Sequence, residues 1–137
     1  YDGKYNANES SYLLSERWEI ANTVGWNKLL LKIYRCVRVP GDDAQVFVGF
    51  SVDTFPPDPT DLGLLNWYVV KDYNLVNHAE WEYEADPPID LTLAFEDALL
   101  DSTYEYYWVL FTLFSGPGES NYGGWNVDNI QIIGNSY

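Results

Sequence analysis

The sequence predicts an all-β chain folded as a two-sheet antiparallel β-sandwich, and three observations carry that reading. Apolar and polar residues alternate with period two along most of the 137 residues, with no sustained helical stripe. Turn chemistry rich in Pro, Gly and Asp interrupts the alternation at short intervals. Hydrophobic content of 47% and aromatic content of 18% supply enough apolar surface to offset the entropy of ordering, which excludes a disordered acidic tail.

Taken in order, residues 1–11 are poor in strand signal and read as an irregular N-terminal arm. Leu29, Leu31, Ile33, Val37 and Val39 then alternate with Lys28, Lys32 and Arg38, a strand that ends at the turn Pro40, Gly41, Asp42, Asp43. Val46, Val48, Phe50 and Val52 share the next strand's face, so residues 28–53 are expected to form a hairpin. Pro56, Pro57 and Pro59 forbid helix and ladder donors alike and mark a surface loop. Residues 65–71 and 78–85 read as strands, with a break at Asp86, Pro87 and Pro88. Residues 89–95 alternate and read as strand, and 96–102 as a short helical turn or irregular loop. The run 105–115 is so apolar and aromatic that both its faces are expected to be covered. After the Gly116-Pro117-Gly118 loop, residues 126–134 close the chain as a strand. That makes about seven or eight strands without repeats, and neither proline cluster separates two cores, so residues 1–137 are taken as one domain.

Charge excludes several function classes. All 7 basic residues lie at or before Lys71, beside 9 acids, while residues 72–137 hold 12 acids and no base, which gives −2 for the first part and −12 for the second. Nucleic-acid backbones and anionic headgroups repel such a chain. No run of 18 apolar residues is present, so no membrane insertion is expected. The start at Tyr1 fits either a processed precursor or a module of a larger protein. A single Cys, Cys36, excludes an internal disulfide and is expected to be a small buried hydrophobe. The acidic, Tyr-rich, Met-free composition suits a secreted or cell-surface protein, and Asn8-Glu9-Ser10 is an acceptor sequon. One His and one Cys rule out the usual zinc sets, and no nucleophile elbow or phosphate loop occurs.

The segment Asn121-Tyr122-Gly123-Gly124-Trp125-Asn126-Val127-Asp128-Asn129-Ile130-Gln131-Ile132 resembles the closing strand of MAM-like jelly rolls, which include the bacterial choice-of-anchor and cleaved-adhesin modules. That signature is Gly-Trp, an apolar residue, then Asp-Asp or Asp-Asn before alternating β-branched residues. Other pieces follow the family's order: an opening strand at residues 14–20, a strand at 29–34, the Gly41-Asp42-Asp43 turn with its Ser51-Val52-Asp53 exit, a strand at 67–70 and a penultimate strand at 107–114. The resemblance covers about residues 14–134, but only the Gly-Trp segment is specific. Asn129 stands where a second Asp is commoner, and the Pro-rich segment 56–59 is longer than the usual turn. The resemblance implies a jelly-roll, concanavalin-like sandwich and a structural Ca²⁺ at the sandwich edge held by Asp43 and Asp128 with backbone oxygens.

Alternation puts Asp128 on the face of Ile130, pointing inward, where a carboxylate needs a partner, a hydrogen bond or a metal. The competing reading is that Asp128 caps the amides of Gly123 and Gly124 and binds nothing. Gly124 and Trp125 read as structural, the indole plugging the sandwich edge where glycine lets the backbone approach. Trp67, Tyr68, Tyr73 and Tyr122 lie beside loops and are the candidates for a flat sugar-stacking surface, although aromatics in such places also pack over sandwich edges. His78, Glu80, Glu82 and Glu84 share a strand face, with successive carboxylates about 6.5–7 Å apart. That spacing suits an inverting glycosidase, and equally a solvated face or pairing with Lys28, Lys32 and Arg38 on a neighbouring strand.

The function expected from the sequence is a non-catalytic, extracellular jelly-roll module that binds carbohydrate or mediates adhesion to another surface protein, with Ca²⁺ as a structural ion. Its rivals are a self-assembling surface or filament subunit whose residues 1–11 order on a neighbour by strand addition, and a small glycosidase using Glu80, Glu82 and Glu84.

Overall fold

A computed structural model describes residues 10–38, 43–59, 61, 66–72, 84–85, 88–100, 103–114 and 124–135, and for 10–11, 34–38, 43, 84–85, 114, 124–129 and 135 it describes the backbone alone. Two antiparallel sheets face each other across an apolar core. In the first sheet, β8 (Tyr106–Phe114) is flanked on one side by β1 (Ser10–Leu14) and β2 (Trp18–Glu19) and on the other by β4 (Asp43–Ser51), beyond which lies β5 (Trp67–Asp72). In the second, β3 (Lys28–Arg38) pairs along one edge with β9 (Gly124–Asn135) and along the other with the short β6 (Glu84–Ala85) and β7 (Ile89–Asp90). The expected all-β two-sheet sandwich is thus the observed architecture.

Alternation explains which faces meet. Leu29, Leu31 and Ile33 of β3 oppose Ala44, Val46, Val48 and Phe50 of β4 and Tyr107, Val109 and Phe111 of β8, all of them buried. The other face of β8 is covered as well, because Trp108, Leu110 and Thr112 are buried, as the run's composition predicts. Phe47, Trp67 and Leu110 form a second small core there with Leu14 packed against it. The proline break is equally legible: β6 and β7 lie along the same edge of β3 on either side of Pro87-Pro88, residues that lack the N–H a regular ladder needs.

Four features depart from the sequence reading. β3 and β4 are not a hairpin; they belong to opposite sheets. Either arrangement keeps the same residues inward, which is why alternation could not separate them. Residues 10–11, placed in the irregular arm, belong to β1, while residues 1–9 lie outside the described residues. The opening strand is split by Ser15, whose Oγ accepts the Val109 N–H at 2.9 Å while its own N–H donates to the Val109 carbonyl at 2.9 Å. Finally, the strand expected over 89–95 ends at Asp90, and α1 (Thr92–Leu100) follows.

The helix forms because Leu91, Phe95 and Ala98 satisfy a helical period as well as part of an alternating one, and local bonds favour the helix. The Asp90 carboxylate accepts the Thr92 N–H at 2.9 Å, Phe95 N–H donates to the Leu91 carbonyl at 3.1 Å, and Thr92 Oγ1 accepts the Leu29 N–H at 3.1 Å. α1 thereby seats Phe95 edge-on against Phe50 and Tyr107, each at 4.9 Å, and plugs one end of the sandwich.

Hydrogen bonds from the Thr92 hydroxyl and N–H, with help from nearby Lys28, hold the Asp90 carboxyl below its ordinary range. A depressed folded-state value stabilises above the unfolded value and loses that contribution as pH falls through the folded one. Loss of the solvent-screened capping bond in Asp90→Ala should cost about 0.5–1 kcal/mol near neutral pH. In urea melts the gap from wild type should close as pH drops from about 5 to 2, and a gap constant across that range would contradict the assignment.

Candidate functional site

The end of the sandwich plugged by α1 also gathers the polar aromatic groups. Backbone bonds stitch it together: Ile20 N–H donates to the Glu105 carbonyl at 2.9 Å, and Glu105 N–H to the Ser51 carbonyl at 3.1 Å. β2 pairs Glu19 directly with Tyr106 and Trp18 with Tyr107, and the Trp18 ring stacks on Tyr107 at 5.6 Å. Glu19 and Tyr106 consequently share a sheet face although 87 positions separate them in sequence.

An open depression of about 440 Å³ lies here, lined by Glu19, Ile20, Ala21, Tyr104, Glu105 and Tyr106. Glu19 and Glu105 are exposed; Tyr104 and Tyr106 are half-buried. Tyr104 is held by a tilted contact with Phe50 at 5.7 Å. The Arg17 guanidinium sits 4.8 Å above the centre of the Tyr106 ring, and its Nη1 donates to the Thr54 carbonyl at 3.4 Å. Beside this depression Tyr68 packs edge-on against Phe50 at 5.6 Å. Burial raises the Tyr68 hydroxyl above its ordinary value, and the neighbouring Tyr104 and Asp97 push in the same direction. Chemically, the depression offers carboxylate acceptors for hydroxyl or cationic donors, together with two tyrosines that combine ring surface with a polar tip.

The sequence candidates fare unequally. Trp67 and Tyr68 are consecutive on β5 and face opposite ways, so they cannot share one flat surface. Trp67 is turned to the outer cluster, only 6% exposed, its ring edge-on to Phe47 at 6.5 Å and its indole N–H donating to the Asp58 carbonyl at 3.0 Å. Its ring faces are consumed by packing, whereas Tyr68 lies toward Tyr104. Tyr73 and Tyr122 fall outside the described residues. Gly124 opens β9 opposite Arg38, and Trp125 follows opposite Val37.

Asp43 is the first residue of β4, in the first sheet, and Asp128 lies in β9 of the second, opposite Tyr34. The β3–β9 register shifts between Lys32 and Tyr34, so the regular alternation used to group Asp128 with Ile130 is interrupted between those two residues. Among the described residues no group of three or more His, Cys, Asp or Glu gathers as a metal-binding set. Glu84 is in register with Arg35, which places β6 beside the basic strand β3, while His78, Glu80 and Glu82 lie outside the described residues. Among the described residues no helix is long and apolar enough to cross a membrane.

Tyr104, Glu105 and Tyr106 were not singled out from sequence. Their only local signal is the dense run Tyr104-Glu105-Tyr106-Tyr107 at the mouth of a strand, and Glu19 joins it solely through pairing of β2 with β8. Set against known proteins, the chain matches no family model and no curated protein sequence.

Proposed function

We propose that this chain is a non-catalytic, extracellular β-sandwich module of MAM-like type that binds carbohydrate, and that adhesion is what such binding serves. The observation that supports this most directly is the open depression at the α1 end, whose lining includes Tyr104 and Tyr106 together with the exposed residues Glu19 and Glu105. Tyrosine rings match the apolar faces of sugars, and carboxylates accept from their hydroxyls. A net charge of −14 disfavours anionic glycans, so neutral or amino-sugar polymers are the fitting class.

The test is a polysaccharide panel read by pull-down and calorimetry. Wild type should retain a neutral or amino-sugar polymer, and Tyr104→Ala should weaken that binding by about tenfold while leaving the fold intact. Silence across the panel, or a Tyr104→Ala variant that binds like wild type, would remove carbohydrate recognition at this depression. The structural Ca²⁺ at Asp43 and Asp128 rests on the family resemblance alone. Thermal melts with and without EGTA test it, and an unchanged midpoint would delete the ion from the reading.

A further inference from the structure

The outer face of α1 carries an apolar surface that a buried-side helix does not require. Leu91, Phe95 and Ala98 are turned into the core, at 0%, 5% and 3% exposure. The opposite stripe, formed by the i, i+3, i+4, i+7 positions Leu93, Glu96, Asp97 and Leu100, is exposed, with Leu93 at 74% and Leu100 at 78%. The two leucines are about 10 Å apart along the axis, with two exposed carboxylates between them. No base lies in the helix or anywhere from residue 72 to 137. Amphipathic surface helices place polar residues on this stripe, and two largely exposed leucines on one stripe of a core-anchored helix are the departure from which a contact surface is argued.

We infer that this stripe docks a cationic amphipathic protein segment, one that sets apolar side chains against Leu93 and Leu100 and lysine or arginine against Glu96 and Asp97. Charge selects that occupant. Anionic lipid headgroups and nucleic-acid backbones are repelled by the carboxylates between the leucines and by a molecule of net charge −14, as a second copy of the chain is repelled. A basic segment is attracted at long range and then buries the leucines at contact, the combination that gives both steering and residence. The inference is independent of the carbohydrate reading, which uses Tyr104 and Tyr106 rather than the helix face.

The experiment uses a synthetic Leu/Lys amphipathic peptide and its Leu/Glu counterpart, titrated into the whole chain by fluorescence anisotropy. Wild type should bind the Leu/Lys peptide and not the Leu/Glu one. Leu93→Ser with Leu100→Ser should weaken binding about tenfold at unchanged net charge, and Glu96→Gln with Asp97→Asn should weaken it and flatten its salt dependence. Val69→Ser removes another half-exposed apolar side chain, on β5, and should leave binding within about twofold. The inference is overturned if the leucine variant binds like wild type, if the Leu/Glu peptide binds equally, or if wild type forms dimers that the leucine substitutions dissolve. Polysaccharide binding measured on the leucine variant should be unchanged, which separates failure of this surface from failure of the Tyr104 depression.

Discussion

Phe50→Ala is expected to lower the stability of the chain by about 3–5 kcal/mol, the largest effect of any single truncation considered. Phe50 is completely buried at the end of β4 and is the residue on which the α1 end converges. Its ring meets Phe95 at 4.9 Å, Tyr68 at 5.6 Å and Tyr104 at 5.7 Å. Removing it leaves a cavity bounded by a helix, an edge strand and the segment before β8, and aromatic pairs add to the area lost. Because Tyr104 lines the depression, the same substitution should loosen that wall as well as shift the denaturation midpoint. Urea unfolding of Phe50→Ala beside Phe50→Leu distinguishes the two contributions: the Leu variant keeps most of the volume and should cost about 1–2 kcal/mol. A loss under about 1 kcal/mol for the Ala variant would mean that Phe50 is not the keystone of this end.

Gly49→Ala is expected to cost about 1–3 kcal/mol, although it adds one methyl group to a strand. A Cβ at residue 49 would run into the six-membered ring of Trp67, which lies directly over the glycine. Trp67 cannot retreat without giving up its N–H bond to the Asp58 carbonyl and uncovering Phe47 and Leu110. The physical cause is steric, so it can be isolated by a double-mutant cycle. Trp67→Leu alone should destabilise by about 2–4 kcal/mol through lost burial, and Gly49→Ala in that background should add less than about 1 kcal/mol. Additive costs would show that the glycine is needed for some reason other than the overlying indole. The cycle also decides how Trp67 should be regarded, since coupling of this size marks a packing residue rather than a ligand platform.

Much of the molecule was legible along the chain. β4 shows the alternation of Ala44, Val46, Val48 and Phe50, and those four residues are its buried face. The unbroken apolar run of β8 announces burial on both sides, and Pro87 with Pro88 announces the gap between β6 and β7. These features depend on side-chain period and on backbone donors, which are properties of neighbouring residues.

Other features were not legible, for identifiable reasons. The residues from 89 to 95 fit a strand until the Asp90 carboxylate accepts the Thr92 N–H, and Leu91 and Phe95 then find the same core as a helix. The groups of the depression come from β2 and from the mouth of β8, and no local pattern links Glu19 to Tyr106. Trp67 looked available because it sits beside a loop, and only its packing over Gly49 and against Phe47 shows that its surface is spent. The bulge in the β3–β9 ladder likewise interrupts the alternation that had assigned Asp128 to the core face.

The sequence by itself determined the all-β class, the inward residues of the long strands and an acidic composition without Lys or Arg in residues 72–137. Only the tertiary structure decided that β3 and β4 face each other across the core, and that Tyr104, Tyr106, Glu19 and Glu105 meet beside a helix bearing exposed leucines. The division has a physical origin. Alternation fixes which side of a strand is apolar, because each residue points opposite to the next, but that side is buried against the opposing layer whether the next strand pairs beside it in the same sheet or joins the other one. That choice, and every site built from it, is made by long-range packing.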